Sequence, residues 1–174
     1  MALVGCAPTG VEVCFGRDEI IVSKTDTKGV ITYANDVFLR VAGYSERELL
    51  GKPHNIIRHP DMPACIFKLL WDRIQAGHEV FAYVVNLAKN GDHYWVHAHV
   101  TPSQSSSGAI TGYHSNRRVP RPTVLEGIQG LYRRLRAEEG RYPTRMEALA
   151  ASSTMIEDML VREGVSYDEY IHGL

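Results

Sequence analysis

The chain has 174 residues, with 19 Lys and Arg against 20 Asp and Glu, and a formal net charge of -1 at pH 7. A hydrophobic share of 44% and a charged share of 22% are ordinary globular values and exclude a disordered or fibrous chain. The balanced charge gives no global reason to bind nucleic acid or an anionic membrane, and no apolar run nears the ~18 residues a membrane span needs.

Residues 1–10 carry no Lys or Arg ahead of their short apolar run, so they do not read as a signal peptide. Cys6, Cys14 and Cys65 cannot all pair within one chain, and there is no Cys-x-x-Cys. Reduced thiols in a cytoplasmic protein are the simplest reading.

Residues 20–23 and 30–34 read as strands joined by the turn Asp26-Thr27-Lys28-Gly29. Asn35 caps a short helix bearing Val37, Phe38 and Val41, and Gly43 ends it. Ser45-Glu46-Arg47-Glu48 has the capping-box form. Asp61-Met62-Pro63 opens a longer helix, with Ile66, Leu69, Leu70, Arg73 and Ile74 at helical spacing and Phe67 and Trp71 beside them. Residues 80–88 and 93–101 are strands. Asn90-Gly91 between them predicts a type I′ turn, in which both residues take positive φ. Residues 109–117 form a last strand.

Composition changes near residue 120, at Val119-Pro120-Arg121-Pro122. Beyond it, Val124, Ile128, Leu131 and Leu135 mark one helix. Leu149, Met155, Ile156, Met159 and Leu160 mark a second over 146–162, and Ser166 caps a third over 167–172. Their apolar stripes need cover, from the sheet or from a second subunit. The order predicts an α+β fold: a five-stranded antiparallel sheet with short helices on one face, plus a C-terminal helical extension. The divisions are an N-terminal segment 1–16, a domain 17–119 and an extension 120–174. Helices over a twisted sheet can leave an internal pocket for a small ligand.

Strand alternation puts Asn86 on the face of Ala82, Val84 and Ala88. A buried amide left unpaired costs about 1–3 kcal/mol, so Asn86 needs a partner, either backbone or ligand. The stretch from His54 to Asp61 gathers two imidazoles, an amide, a guanidinium and a carboxylate.

Specific motifs add to this. Ile31-Thr32-Tyr33-Ala34-Asn35-Asp36, Gly43-Tyr44, Leu49-Leu50-Gly51-Lys52-Pro53 and Lys89-Asn90-Gly91-Asp92-His93-Tyr94-Trp95-Val96 resemble the signature of PAS sensory domains. His54-Asn55-Ile56-Ile57-Arg58-His59-Pro60-Asp61-Met62-Pro63 resembles a narrower pattern, that of PAS domains in bacterial aerotaxis transducers, which bind FAD non-covalently and report redox state. The resemblance covers residues 17–119. It implies a PAS fold with the flavin ring between sheet and short helices, and Asn86 bonding its polar edge. His54 and Asn55 would bond ribityl hydroxyls, Arg58 would fork a diphosphate, and His59 would stack on or bond adenine or ribose. The other reading pairs Arg58 with Asp61 and leaves His59 to backbone. Val80 stands where aerotaxis-type domains usually carry Trp, so aromatic packing would come from Phe81 or Trp95, or be absent. Light-sensing relatives read Asn-Cys-Arg-Phe where this chain has Asn55-Ile56-Ile57-Arg58, and Cys65 lies elsewhere, so no thiol photoadduct is expected.

The function implied is a cytoplasmic redox or oxygen sensor in aerotaxis signalling, a homodimer meeting a signalling partner through its sheet or C-terminal helices. It reads as a sensor without its transducer. Haem held by His54, His59 or His78 is a second reading, and a cofactor-free dimerisation module a third. An enzyme is disfavoured: the polar cluster lacks a nucleophile–base pair, and no G-x-x-x-x-G-K occurs. His97 and His99 share a strand face but no third metal ligand is evident. The arginines at 133–136 are followed by Glu138-Glu139, which argues against a nucleic-acid interface.

Overall fold

The computed structural model describes residues 6–174. The first five residues of the segment assigned to 1–16, and of the stretch tested for a signal peptide, lie outside the described residues. Five strands form one antiparallel sheet: β1 (Ile21–Thr25), β2 (Ile31–Ala34), β3 (Val80–Leu87), β4 (His93–Gln104) and β5 (Ile110–Arg118), in the order β2-β1-β5-β4-β3. Between β2 and β3 come α1 (Asp36–Ala42), α2 (Glu46–Leu49), a 3-10 turn (His54–Ile57) and α3 (Ala64–Gln75). After β5 follow α4 (Pro122–Glu139), α5 (Arg145–Glu163) and α6 (Tyr167–Gly173). The α+β architecture and the helical extension are those the sequence predicts.

Local chemistry explains the crossover. The Asn35 amide oxygen accepts from the N–H of Phe38 at 3.1 Å and of Val22 at 2.9 Å, and its nitrogen donates to the Ile20 carbonyl at 2.8 Å. One side chain thus caps α1 and fastens it to β1, and such caps contribute about 1 kcal/mol. The Glu48 carboxylate accepts from the Ser45 N–H at 3.0 Å and its hydroxyl at 2.8 Å, starting α2.

All three hairpins use a three-residue loop, a type I turn followed by a left-handed glycine, the last closing at Gly108. In the first, the Gly29 N–H bonds the Asp26 carbonyl at 3.1 Å, with Gly29 at φ 78. A Cβ there would come within 2.9 Å of the Trp71 ring. In the second, the Gly91 N–H bonds the Ala88 carbonyl at 3.0 Å, with Gly91 at φ 93. The type I′ expectation is therefore corrected: Asn90 does not take positive φ. Its amide instead accepts from the Asp92 N–H at 3.1 Å and donates to the Asp92 carboxylate at 2.7 Å. Lys89 N–H is bound to the Ala42 carbonyl at 2.9 Å, which draws Lys89 out of the strand and lengthens the loop by one residue.

The extension is continuous with the core. Val124, Ile128, Leu131 and Leu135 are all buried. α4 lies on the outer face of the sheet, where the Tyr132 hydroxyl donates to the Tyr83 carbonyl and its ring sits 5.9 Å from Trp95. α5 packs on α4 and α3, and α6 on β3. Glu139, at the end of α4, accepts the Ala64 N–H at 2.7 Å and the Ser152 hydroxyl at 3.0 Å, and pairs with Arg136 at 2.7 Å. Pro63 precedes α3 and offers no side-chain cap, so a carboxylate 75 residues downstream satisfies that helix start. The apolar stripe of α4 is covered by this same chain, whereas on α5 Ile156 is buried and Leu149, Met155, Met159 and Leu160 are half-buried. Among the described residues no helix is long and apolar enough to cross a membrane.

Candidate functional site

A cavity of about 400 Å³ separates the inner face of the sheet from α3 and the 3-10 turn. Its floor is Val84 and Asn86 of β3, Ala98 and Val100 of β4, and Ser115 and Arg117 of β5. Small side chains at Ala98 and Ser115 leave the void. Phe67, Leu70, Trp71 and Ile74 of α3 form the apolar wall opposite, so the stripe read from the sequence faces the cavity in part.

The interior holds polar groups without partners. Asn86 is 4% exposed, and its Nδ2 makes no hydrogen bond. Arg117 is 2% exposed. Its Nη2 donates to the Ser23 hydroxyl and its guanidinium lies 4.5 Å from the Phe38 ring centre, but Nε and Nη1 have no acceptor. The buried Tyr94 hydroxyl is also unpartnered. Each such orphan costs about 1–3 kcal/mol, more for a charged group. Burial pulls Arg117 down to about 10, so it stays cationic at neutral pH. His54 Nε2 lies 3.1 Å from Ser23 Oγ. Burial first, then the Arg117 charge, pushes the His54 imidazole down to about 3, so it is neutral at physiological pH.

The mouth is cationic. Lys28, Arg58, Lys68 and Arg145 line it, and with Arg117 inside, no Asp or Glu lines the cavity at all. Arg58 lies with its guanidinium 4.1 Å from the Phe67 ring centre. It does not pair with Asp61, which is exposed and donates its backbone N–H to His59 Nδ1 at 3.1 Å.

Of the predicted site residues, His54, Asn55, Arg58 and Asn86 are brought together around the cavity, whereas His59 and Trp95 are not. The reasons are geometric. Arg58 bridges to Asn86 at the free edge of β3, with φ -72 and ψ 119. In such extended backbone successive side chains diverge, so Arg58 turns in and His59 turns around the sheet edge. Trp95 pairs with Val85, and Tyr94 with Asn86; the parity puts Trp95 on the outer face. His59 and Trp95 meet His93, Tyr132 and Arg133 in a second concavity of about 410 Å³. Phe81 is also outside, stacked 4.1 Å from the His99 ring centre. The expectation that Phe81 or Trp95 packs on a ligand in the cavity is corrected: Phe67 and Trp71 hold that place. Of the three haem candidates His54 lines the cavity, whereas His78 is exposed beyond α3. Among the described residues no three His, Cys, Asp or Glu side chains form a metal cluster. Cys65 is buried, away from the cavity lining.

Sequence reading missed Arg117, Ser23 and Arg145. For Arg117 the signal was present, since Tyr113, Ser115 and Arg117 alternate along β5 and share the inner face. Arg145 had no such signal, because it reaches the site through the fold of the tail.

A twisted five-stranded sheet holding a cavity under short helices defines a PAS-type sensory fold, and residues 31–116 match the family model described as the PAS fold. This segment of the chain is a PAS domain. It is 42% identical over 120 residues, 69% of its length, to the aerotaxis receptor of Escherichia coli (strain K12), of which it spans 24%. It is 28% identical over 99 residues to the nitrogen fixation regulatory protein of Klebsiella pneumoniae, covering 57% of this chain and 20% of that protein. Among solved structures, the light state of the blue-light photoreceptor Aureochrome1 LOV superposes with a TM-score of 0.57 at 21% identity, over 61% of this chain and 85% of that one. The last likeness is one of fold.

Proposed function

We propose that this PAS domain is a flavin-binding redox sensor of aerotaxis type, with FAD as its cofactor. The observation that carries the reading is the set of buried, unpartnered atoms, Asn86 Nδ2 and Arg117 Nε and Nη1, in an apolar-walled cavity with a cationic mouth. A flavin nucleotide matches all three features. Its ring offers apolar faces, one edge of donors and acceptors, and an anionic tail. The likeness to the aerotaxis receptor supports this reading and the signalling context.

The chain's residues have distinct tasks. Asn86 pairs with the ring's polar edge. Arg117 places an uncompensated positive charge beside it, worth more in a water-excluded site than at the surface. Ser23 and the neutral His54 hold that guanidinium in place. Phe67, Trp71 and Val84 exclude water. Arg58 and Asn55 attend the ribityl phosphate tail. The flavin supplies reversible electron uptake. A change of charge at its polar edge alters what Asn86 and Arg117 must bond, and β3 and β5 carry both residues into the sheet on which α4 rests. A homodimer and a partner docking on the C-terminal helices complete the proposal, in a cytoplasmic setting.

The test is an absorption spectrum of purified protein before and after dithionite, with chromatography of the released chromophore. Bands near about 370 and about 450 nm that bleach on reduction, with FAD released, are the expected result. An Asn86→Ala variant should fold and lose most of its flavin. A Soret band would replace flavin by haem. Colourless protein that takes up no flavin on reconstitution would leave a cofactor-free interaction module.

A further inference from the structure

The charges around the cavity are unevenly placed. The chain carries almost equal numbers of acids and bases, yet five cations and no acid line this one void. Lys68 is neutralised by Asp72. Arg58 and Arg145 have no such partner: neither forms an ion pair with a carboxylate among the described residues. They share the cavity mouth, and Arg58 is lowered by burial first and then by the Arg145 charge, with Glu139 acting in the opposite direction. Two like charges held at one opening repel unless an anion lies between them. A phosphate oxygen pair suits a planar guanidinium fork, which binds it through two parallel N–H donors.

Arg145 is not part of the segment that matches the family model, which ends at 116. It opens α5, behind the Thr144 cap, and Leu149 one turn on also lines the cavity. The position of α5 is fixed from the same side. Glu139 of α4 caps α3 at Ala64, and Ala64 itself lines the void. The extension therefore contributes both a charge at the mouth and the cap of the wall.

We propose that the C-terminal extension is part of the cofactor site: Arg145 of α5 and Arg58 together clamp the phosphate group of a flavin nucleotide, so that nucleotide binding and docking of the extension reinforce each other. This rests on the flavin reading above. It adds a specificity-determining residue and a route by which occupancy reaches the tail. Linkage makes the coupling reciprocal: whatever loosens α5 weakens nucleotide binding, and the nucleotide tightens α5.

The experiment uses the full chain, stripped of chromophore and titrated separately with FAD, FMN and riboflavin. Riboflavin has the ring and the ribityl chain but no phosphate. The wild-type protein should prefer both nucleotides to riboflavin. In Arg145→Gln that preference should fall about 10-fold or more, the size of a lost charge-assisted hydrogen bond, with riboflavin affinity unchanged. Arg145→Lys should retain part of the preference. Arg145 is exposed and unpaired, so the cofactor-free variant should melt with the wild type. Hydrogen exchange gives a readout independent of affinity: FAD should protect the amides of α5 in the wild type, riboflavin should not, and neither should in Arg145→Gln. An unchanged nucleotide preference in Arg145→Gln, or equal protection of α5 by riboflavin and FAD, overturns the clamp and leaves the flavin reading standing. A wild-type protein that binds none of the three overturns both.

Discussion

The two faces of the sheet use similar residues to opposite ends. The outer face carries Trp95, Tyr83 and Val85, and α4 lies against it beside the second concavity; the Tyr132 hydroxyl finds a carbonyl and its ring meets Trp95. The inner face carries Asn86, Arg117 and Ser115, and the helix above it stands away. There the amide and two guanidinium nitrogens find nothing. Outside, aromatic contacts and one satisfied hydroxyl stabilise the fold, and the orphaned atom is a single neutral imidazole nitrogen, His97 Nε2. Inside, the fold is weakened by a void and by orphaned groups, a pattern found where binding has been favoured over stability. The difference shows which face to call a site.

Breaking the outer face should cost most. Leu135, on the inward side of α4, is fully buried, and Leu135→Ala should lower unfolding stability by about 2–5 kcal/mol, read in urea melts. A loss below ~1 kcal/mol would mean the extension is not part of the cooperative core. The inner face should respond in the other direction. Arg117→Met removes a buried charge that has no acid partner. Apolar replacement of buried charges commonly stabilises by about 1–4 kcal/mol, so the cofactor-free variant should melt higher than the wild type while its flavin binding drops at least about tenfold. A variant that is less stable and still binds flavin normally would make Arg117 a structural cation and remove the contrast between the faces.

Much of this was legible in the sequence, because it is local. Period-2 alternation placed Asn86 inside, and the Asn35 cap and the apolar stripe of α4 follow from spacing alone. What was not legible depends on partners distant in the chain. Nothing near Pro63 announces that Glu139 caps α3. Nothing around Thr144 announces that Arg145 reaches the mouth shared with Arg58. Arg58 and His59 looked like one cluster because they are adjacent, but the bridge to Asn86 sends them to opposite sides of the sheet. The hairpin at Asn90-Gly91 misled for a related reason: the Ala42 carbonyl, in another element, claims the Lys89 N–H.

A smaller effect, and one that belongs to the inner face, is acid sensitivity. The folded His54 is held neutral down to about 3, while an unfolded imidazole takes a proton near ~6.5. Between those values the unfolded chain binds more protons, so stability is fully present above ~6.5 and is lost as pH falls. His59 and His97, both lowered chiefly by burial, act in the same direction. Each such group contributes up to about 1.4 kcal/mol per pH unit. Measured from pH ~6.5 to ~5, before carboxylates titrate strongly, the wild type should lose stability with a steeper slope than His54→Gln. Equal slopes in the two proteins would mean that His54 can be protonated in place.

The finest distinction is between the two tryptophans, one on each face. Trp71 lines the cavity beside Phe67, whereas Trp95 lies across the sheet against Tyr132. Replacing either by Phe is a modest change in volume, expected to cost about 1–2 kcal/mol or less. A bound flavin should quench the indole that lines its cavity far more than one screened by a sheet. In Trp95→Phe the remaining emission, from Trp71, should fall steeply as flavin is added, and flavin affinity should stay at the wild-type value. In Trp71→Phe the remaining emission, from Trp95, should fall less, and affinity should weaken because a wall of the cavity has been thinned. The reverse pattern, with Trp95 strongly quenched and Trp71 little affected, would move the ligand to the outer concavity with His59 and Arg133. The orphaned Asn86 and Arg117 would then be left without an occupant.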